Sequence, residues 1–356
     1  MALSSLKKLV TDYLAIDMGT ANTIIAVKGR DVVVDEPSLV AISETKDEIV
    51  AVGLEAAEMR GREGRDIVVV APLSAGVVAD YEKTKHMLAY FVKKAKSGGS
   101  QVTREAVLSV LSDVTHVEQR AMLNAAEESG IGRVHMLEEG LAAAFGVGVD
   151  PDDKRASAVV DIGAASLNIA VVTKGAISHS RSERIGSDQI NEAITLHIKR
   201  NLGLQIGTET AEEIKRNFVS AVVPDDLQDE MLVKGRDLQT GSPHAVTITA
   251  GEVYPIAEKI VRRIAEVIKD TLTELRPEVA ADIYDRGIVL TGGGALLRDI
   301  DKYIREFIDL SVIIPDEPRY ATVRGLLKMF DAPELLDRVS RNEPGILADS
   351  EISFET

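Results

Sequence analysis

Two short stretches carry residue types suited to holding phosphate. Leu14-Ala15-Ile16-Asp17-Met18-Gly19-Thr20-Ala21-Asn22-Thr23 runs an apolar segment into Asp-x-Gly-Thr and resumes as the apolar Ile24 to Gly29. The pattern predicts a β-hairpin. Glycine at its turn lets backbone N–H groups converge on an anion with no Cβ in the way. The aspartate beside it would repel a phosphate unless a cation stood between them. Mg²⁺, held by the carboxylate through water, is the natural candidate. A second copy, Ala158-Val159-Val160-Asp161-Ile162-Gly163, follows about one domain length later, and Asn168 to Gly175 echoes Asn22 to Gly29. Two such hairpins predict two similar halves facing across a cleft, clamping a nucleotide's phosphates from both sides.

Three further groups suit the same cleft. Glu138-Glu139-Gly140 stands at a strand-to-helix junction. One carboxylate there could position or deprotonate an attacking water, or both could be acids favoured by a helix N-terminus. Glu212 and Lys215 share a helix face at i, i+3, fit to hold a ribose hydroxyl or an adenine edge, or to form a surface ion pair. Gly292-Gly293-Gly294 follows the buried strand Gly287 to Thr291 and precedes a helix expected near Ala295. It allows close backbone approach to a ligand, or serves only as a tight turn.

The elements that must position these groups show in outline. Asp31 to Ile42 reads as two strands joined at Pro37. Met87, Leu88, Phe91 and Val92 fall at helical spacing. Thr115 and Glu118 form a capping box for a helix running to Ser129, and Thr210 with Glu213 is expected to cap a helix ending at Phe218. Ile190, Ile194 and Ile198 mark a helix after Asp188, and Ile256 to Leu275 a long amphipathic one closed by Pro277. Lys96 to Gln101 is a polar, glycine-rich loop. Leu3, Leu6, Leu9 and Val10 share a helical face, packed on its own domain or, for residues 2–10, lying on a membrane surface. The charged break Pro151 to Arg155 divides the chain into halves 1–155 and 156–330. Small insertions are expected over about 31–75 and 205–255, with an acidic tail over 331–356.

The 356 residues, 45% hydrophobic, suffice for two buried cores. No apolar run approaches the ~20 residues of a membrane span. The absence of cysteine excludes disulfide and thiol chemistry and fits a reducing cytoplasm. The six histidines show no close metal-ligand spacing. A net charge of −16 argues against nucleic acid as a partner and makes self-assembly sensitive to salt and divalent cations.

In this order the hairpins, the glutamate pair and the triple glycine resemble the actin-like ATPase superfamily. Within it, the chain looks like the bacterial actin MreB and relatives such as the magnetosome filament protein MamK. The sharpest matches are Asp17 to Thr23, Glu36-Pro37-Ser38-Leu39-Val40-Ala41-Ile42, Ala211-Glu212-Glu213-Ile214-Lys215 and Thr291 to Leu297, and the resemblance spans most of residues 12–330. It implies an α/β, actin-like fold: two similar domains, each a mixed sheet flanked by helices, with a nucleotide cleft between them. It implies ATP and Mg²⁺ as cofactors. Gly19, Thr20, Ala21 and Asn22 would bind the β- and γ-phosphates, faced by Gly163, Ala164 and Ala165. Asp17 and Asp161 would sit near the metal, and Glu212 and Lys215 near the ribose and base. Gly292, Gly293, Gly294 and Ala295 would run along the nucleoside. Glu139 matches the residue that positions the attacking water, which makes it the catalytic candidate. The implied partner is the chain itself, in head-to-tail cytoskeletal filaments of paired strands that serve cell shape or organelle positioning.

Departures shape the expectation. Where the family usually reads Asp-x-Gly-Gly-Gly-Thr-Thr-Glu, this chain reads Asp161-Ile162-Gly163-Ala164-Ala165-Ser166-Leu167-Asn168. Two methyls would crowd the phosphates and Leu167 removes a hydroxyl, so slow hydrolysis with ATP binding retained is expected. Gly140 stands where the family usually has Pro. The hydrophobic membrane loop usual in MreB has no clear counterpart, which leans toward a specialised relative such as MamK. A small-molecule kinase of the same fold would need a further catalytic acid. An Hsp70-like ATPase module would need a substrate-binding domain after residue 330. Neither feature is seen.

Overall fold

The computed structural model describes residues 11–96 and 102–341. The expectations for residues 2–10 and for the core of the Lys96 to Gln101 loop lie outside these. Two five-stranded sheets organise the molecule. The first comprises β1 (Thr11–Met18), β2 (Asn22–Val27), β3 (Asp31–Pro37), β4 (Val102–Val110) and β5 (Val134–Glu138), in spatial order β5-β4-β1-β2-β3. The second comprises β6 (Ser157–Ile162), β7 (Leu167–Thr173), β8 (Ala176–Glu183), β9 (Ile288–Thr291) and β10 (Val312–Ile313), in order β10-β9-β6-β7-β8. In each sheet three antiparallel strands follow one another by hairpins, and two strands then add parallel to the first. The sequence echo is therefore a repeat of topology.

Strand register corrects its alignment. Asp17 pairs with Ile24 and Met18 with Thr23, while Asp161 pairs with Asn168 and Ile162 with Leu167. Equal hairpin loops thus match Asn22 to Ser166, Thr23 to Leu167 and Ile24 to Asn168. The expected echo of Asn22 by Asn168 is two residues out of step. A shift of two keeps the in–out alternation of a strand, so the apolar pattern could not reveal it.

Alternation also sets the layers. Leu14 and Ile16 point outward onto the helices Tyr81–Ala95 and His116–Glu128, with Met87, Leu88, Phe91 and Met122 in one core. Ala15, Ile24, Ala26 and Val107 point inward and meet Val159, Ala170 and Val172 of the other sheet across two helices, Glu139–Gly146 and Ala321–Lys328. Those helices touch backbone to backbone: a Cβ on Gly146 would lie 1.8 Å from the Ala321 carbonyl oxygen, and one on Gly325 1.7 Å from that of Ala142. The helices Ala250–Thr273, Pro277–Arg286 and Ile300–Ile308 cover the outer face of the second sheet.

Two small units extend this frame. A three-stranded sheet of Val40–Ser43, Glu48–Val52 and Ile67–Val70 carries the helix Leu54–Met59. It begins after Pro37, because Asp31–Pro37 pairs into the first central sheet. A second three-stranded sheet (Leu204–Gln205, Glu230–Asp237, Pro243–Thr249) packs with the helices Asp188–Asn201 and Thr208–Phe218.

Local signals were mostly, not always, decisive. The Thr115–Glu118 capping box forms as expected. Thr210 does not cap its helix, which starts at Thr208 behind Gly207 with no side-chain cap, leaving Thr210 and Glu213 inside it. The long helix begins at Ala250, not Ile256, because Thr249 and Glu252 form a capping box. Pro255 lies close enough to that N-terminus to remove a single backbone hydrogen bond. Pro277 opens a further helix instead of only closing the previous one. The stretch from Asp331, expected as a tail, is folded as far as Arg341. Leu336 of the helix Pro333–Val339 enters the inter-sheet core, and Arg341 pairs with Glu138 at 2.5 Å. Among the described residues, no helix is long and apolar enough to cross a membrane.

Candidate functional site

A cavity of about 840 Å³ opens between the ends of β1 and β6 and takes in both hairpin turns, Glu139, the Glu212–Lys215 pair and the triple glycine. Asp17, Gly19, Thr20, Ala21, Asn22, Glu139, Asp161, Gly163, Ala164, Ala165, Glu212, Lys215, Gly292, Gly293 and Gly294 line it. Ala295 is buried and does not.

The first turn is held mostly by side chains, with one main-chain bond from Ser38 N to the Ala21 carbonyl at 2.9 Å. Ser38 Oγ donates to the Gly19 carbonyl at 2.7 Å and lies 2.9 Å from Thr23 Oγ1. Thr20 Oγ1 accepts from Gly76 N at 2.8 Å, and Asn22 Nδ2 donates to Asp35 at 2.9 Å. A Cβ at Gly19 would lie 2.8 Å from the Asn22 carbonyl oxygen, so the turn requires glycine.

The second turn is held by backbone. Gly163 N donates to Ser166 O at 2.8 Å, Ser187 N to Gly163 O at 3.1 Å and Asp188 N to Ala164 O at 2.8 Å. Gly186 presses so closely that its Cβ would lie 2.3 Å from the Ala164 carbonyl oxygen. Ala164 and Ala165 line the cavity. Leu167, opposite Ile162, is fully buried in the outer core of the second sheet and does not line the cavity. Its matched residue Thr23 is fully buried too, so a hydroxyl at 167 would not face a ligand. That part of the expected loss at the phosphates is withdrawn; the two methyls remain.

Three carboxylates converge at the floor. Asp17 accepts from Ser109 Oγ at 2.7 Å, and Asp161 accepts from Thr291 Oγ1 at 2.8 Å. Burial pushes Asp17 up to about 6, with the Ser109 hydrogen bond opposing and the Asp161 charge adding. Glu139 is held well above the usual carboxylate range, first by burial, then by the charges of Asp161 and Asp17. Burial raises Asp161 as well, against hydrogen bonds from Thr291, Glu139 and Thr322. Among the described residues, no lysine or arginine is a cause of these three shifts. Among the described residues, no cluster of three His, Cys, Asp or Glu side chains is arranged to ligate a metal directly. A cation held through water by Asp17 and Asp161 would fit this unneutralised charge.

At the other end Lys215, 8% exposed, pairs with Glu212 at 2.7 Å and points toward the Ser187 carbonyl at 3.4 Å. Asn191 Nδ2 donates to Glu212 at 2.7 Å. Burial would raise Glu212, but hydrogen bonds from Lys215 and Asn191, the Lys215 charge and Arg216 hold it at about 2. Judged in place, this pair is part of the cavity wall and not a loose surface contact. The triple glycine divides its labour. A Cβ on Gly292 (φ +81°) would strike Ile162 O at 2.5 Å and Asp161 Oδ1 at 2.7 Å, and one on Gly294 would strike Ile162 Cγ2 at 2.4 Å. A Cβ on Gly293 would meet only Arg319 Cγ, at an ordinary 3.9 Å. Packing requires two of the glycines and the cavity uses the third. The helix expected near Ala295 is a 3₁₀ turn, Gly293–Leu296, and the α-helix begins only at Ile300.

Sequence reading missed Ser109, Thr291 and Thr322 behind the carboxylates, Gly186 and Asn191 behind the second half, and Asp35 with Arg319 in the wall. One signal was available: Ser109 is the single polar residue in Val107-Leu108-Ser109-Val110-Leu111.

The family model described as MreB/Mbl protein matches residues 11–338. The cell shape-determining protein MreB of Haemophilus influenzae is 39% identical over 340 residues, covering 93% of this chain and 97% of the relative. The cell shape-determining protein Mbl of Bacillus subtilis is 37% identical over 325 residues, covering 91% and 97%. Crystallised MreB5 of Spiroplasma citri bound to AMPPNP superposes with a TM-score of 0.85 at 30% identity, covering 91% of this chain and 97% of that one. The MamK double helical filament gives 0.76 at 22% identity, covering 90% and 99%, a likeness of fold alone. On this evidence the chain belongs to the MreB/Mbl family and has its actin-like fold.

Proposed function

We propose that the cavity binds ATP with Mg²⁺ and that the bound nucleotide governs head-to-tail assembly of the chain into cytoskeletal filaments. The observation that carries this reading is the placement of two topologically equivalent Asp-x-Gly turns in the lining of one cavity, above three carboxylates whose shifts no described lysine or arginine opposes. Relatives support it: MreB5 was crystallised with AMPPNP and with ADP, and MamK forms a filament. Asp17 and Asp161 would hold the metal through water, where it would neutralise phosphate charge. Backbone N–H groups of Gly19 to Asn22 and of Ala164 and Ala165 would meet the phosphates from both sides. Glu212 and Lys215 would meet the ribose and base, with Gly293 leaving room beside the nucleoside. Glu139 would orient the attacking water, and as a base it works only when ionised, so its raised pKa moves turnover toward higher pH. Ala164 and Ala165 in the cavity wall carry methyls where the family usually has glycine, and methyls against the phosphates would slow hydrolysis. A head-to-tail contact does not close, so it gives filaments. Light scattering and electron microscopy with ATP·Mg²⁺, ADP·Mg²⁺ and no nucleotide provide the test. Polymer that depends on nucleotide is expected; its absence across salt and protein concentrations would overturn the assembly reading.

A further inference from the structure

One carboxylate in the cavity wall ties together segments that the fold brings from opposite ends of the chain. Asp35, on β3, accepts from Asn22 Nδ2 at 2.9 Å, from Arg319 Nη2 at 2.9 Å and from Tyr320 OH at 3.0 Å. Asn22 belongs to the first phosphate turn. Arg319 and Tyr320 belong to the 3₁₀ turn Pro318–Tyr320, which leads into the inter-sheet helix Ala321–Lys328. The same turn holds the triple glycine, since Gly292 N donates to Pro318 O at 3.0 Å and Arg319 Cγ is the nearest atom to the open side of Gly293. Asp35, Asn22, Arg319 and Gly293 all line the cavity. Three donors on one buried-edge carboxylate are charge-assisted hydrogen bonds, the stronger kind, and they fix its geometry.

We infer that Asp35 is a positioning residue of the nucleotide site, holding the phosphate turn at Asn22 and the nucleoside turn at Gly292–Gly294 at a set distance through Arg319 and Tyr320. This inference rests on the nucleotide reading given above and adds to it the residue that spaces the two ends of the ligand. Asp35 touches neither reacting atoms nor metal in this account; it acts through Asn22 and Arg319.

A neighbouring clasp supplies the control. Arg324 pairs with Asp31 at 3.1 Å and with Glu317 at 2.8 Å, joining the same two segments, and none of these three residues lines the cavity. If Asp35 merely stapled the segments, cutting either clasp would affect the ligand alike. The experiment measures AMPPNP·Mg²⁺ affinity by calorimetry, and thermal stability without nucleotide, for the native chain, Asp35→Ala, Asp35→Asn, Arg319→Ala, Asp35→Ala with Arg319→Ala, and Arg324→Ala. Asp35→Ala is expected to weaken binding by on the order of tenfold. The double variant should be no weaker than the weaker single one, because both act on one device. Asp35→Asn, which keeps a carbonyl acceptor, should restore most of the affinity. Arg324→Ala should lower melting temperature while leaving affinity within about twofold. Equal losses of affinity in Asp35→Ala and Arg324→Ala, or none in Asp35→Ala, would overturn the inference. A native chain that does not bind AMPPNP·Mg²⁺ would instead overturn the nucleotide reading itself.

Discussion

The two turns that face each other across the cavity share strand register and loop length, yet they are held by different chemistry. The first is tied mostly through side chains, Ser38 on Gly19, Thr20 on Gly76 and Asn22 on Asp35, with a single main-chain bond from Ser38 to Ala21. The second is tied through main chain, from Gly163 and Ala164 to Ser187 and Asp188. A turn held by its own backbone does not need hydroxyls to keep its shape. That is how Ala164, Ala165 and Leu167 can stand in the second half while the turn keeps the form of the first. The difference teaches that substitutions at Ala164 and Ala165 cost the fold little and act on the ligand beside that wall, whereas Leu167 belongs to the core.

Several changes would break or sharpen this contrast. The largest effect is expected at the floor shared by both turns. Glu139→Gln should lower phosphate release by about 10²–10⁴-fold with AMPPNP binding retained; equal turnover by the variant would remove Glu139 from its role. Next, Gly19→Ala should abolish or severely weaken nucleotide binding, because its Cβ would sit 2.8 Å from backbone. Gly163→Ala meets Ser166 Oγ at 3.0 Å and should be the milder of the two by calorimetry. Leu167→Thr puts a hydroxyl into a fully buried apolar site and should cost about 1–3 kcal/mol in denaturant unfolding without raising turnover. Ser38→Ala should cost about 1 kcal/mol, since the first turn loses its side-chain tie.

Acidity supplies a further separation. Asp17 titrates near 6 in the folded chain against 3.8 for an ordinary aspartate. A raised acid favours folding while protonated, so its contribution is fully present below about pH 4 and is lost as pH rises through about 6. The ligand-free native chain should therefore lose melting temperature across that window relative to Asp17→Asn, and AMPPNP·Mg²⁺ should restore it. Parallel melting curves for the two proteins would contradict the buried charge cluster.

What was legible in the sequence was what local chemistry decides. Asp17–Gly19 and Asp161–Gly163 announced two hairpins because turn residues and alternating apolar residues lie within one short window. Thr115 and Glu118 announced a cap for the same reason. Thr210 misled because an equally plausible cap was overridden by where the helix packs, with Ala211, Ile214 and Phe218 setting its buried face. The capping pair Thr249 and Glu252 starts the long helix at Ala250, ahead of the apolar spacing read from Ile256. At the site, Glu139, Glu212 and Lys215 were visible as types at telling spacings. Their supports were not: Ser109 meets Asp17, Thr291 meets Asp161 and Arg319 meets Asp35 only after the chain has folded, across separations no local pattern records.

The central claim is that both turns close on one nucleotide. Amide hydrogen exchange, with and without AMPPNP·Mg²⁺, over peptides covering 19–22 and 163–166 tests it most directly. Protection of both turns at the same nucleotide concentration is predicted. Protection confined to the first turn, with the second unchanged at saturation, would contradict the account.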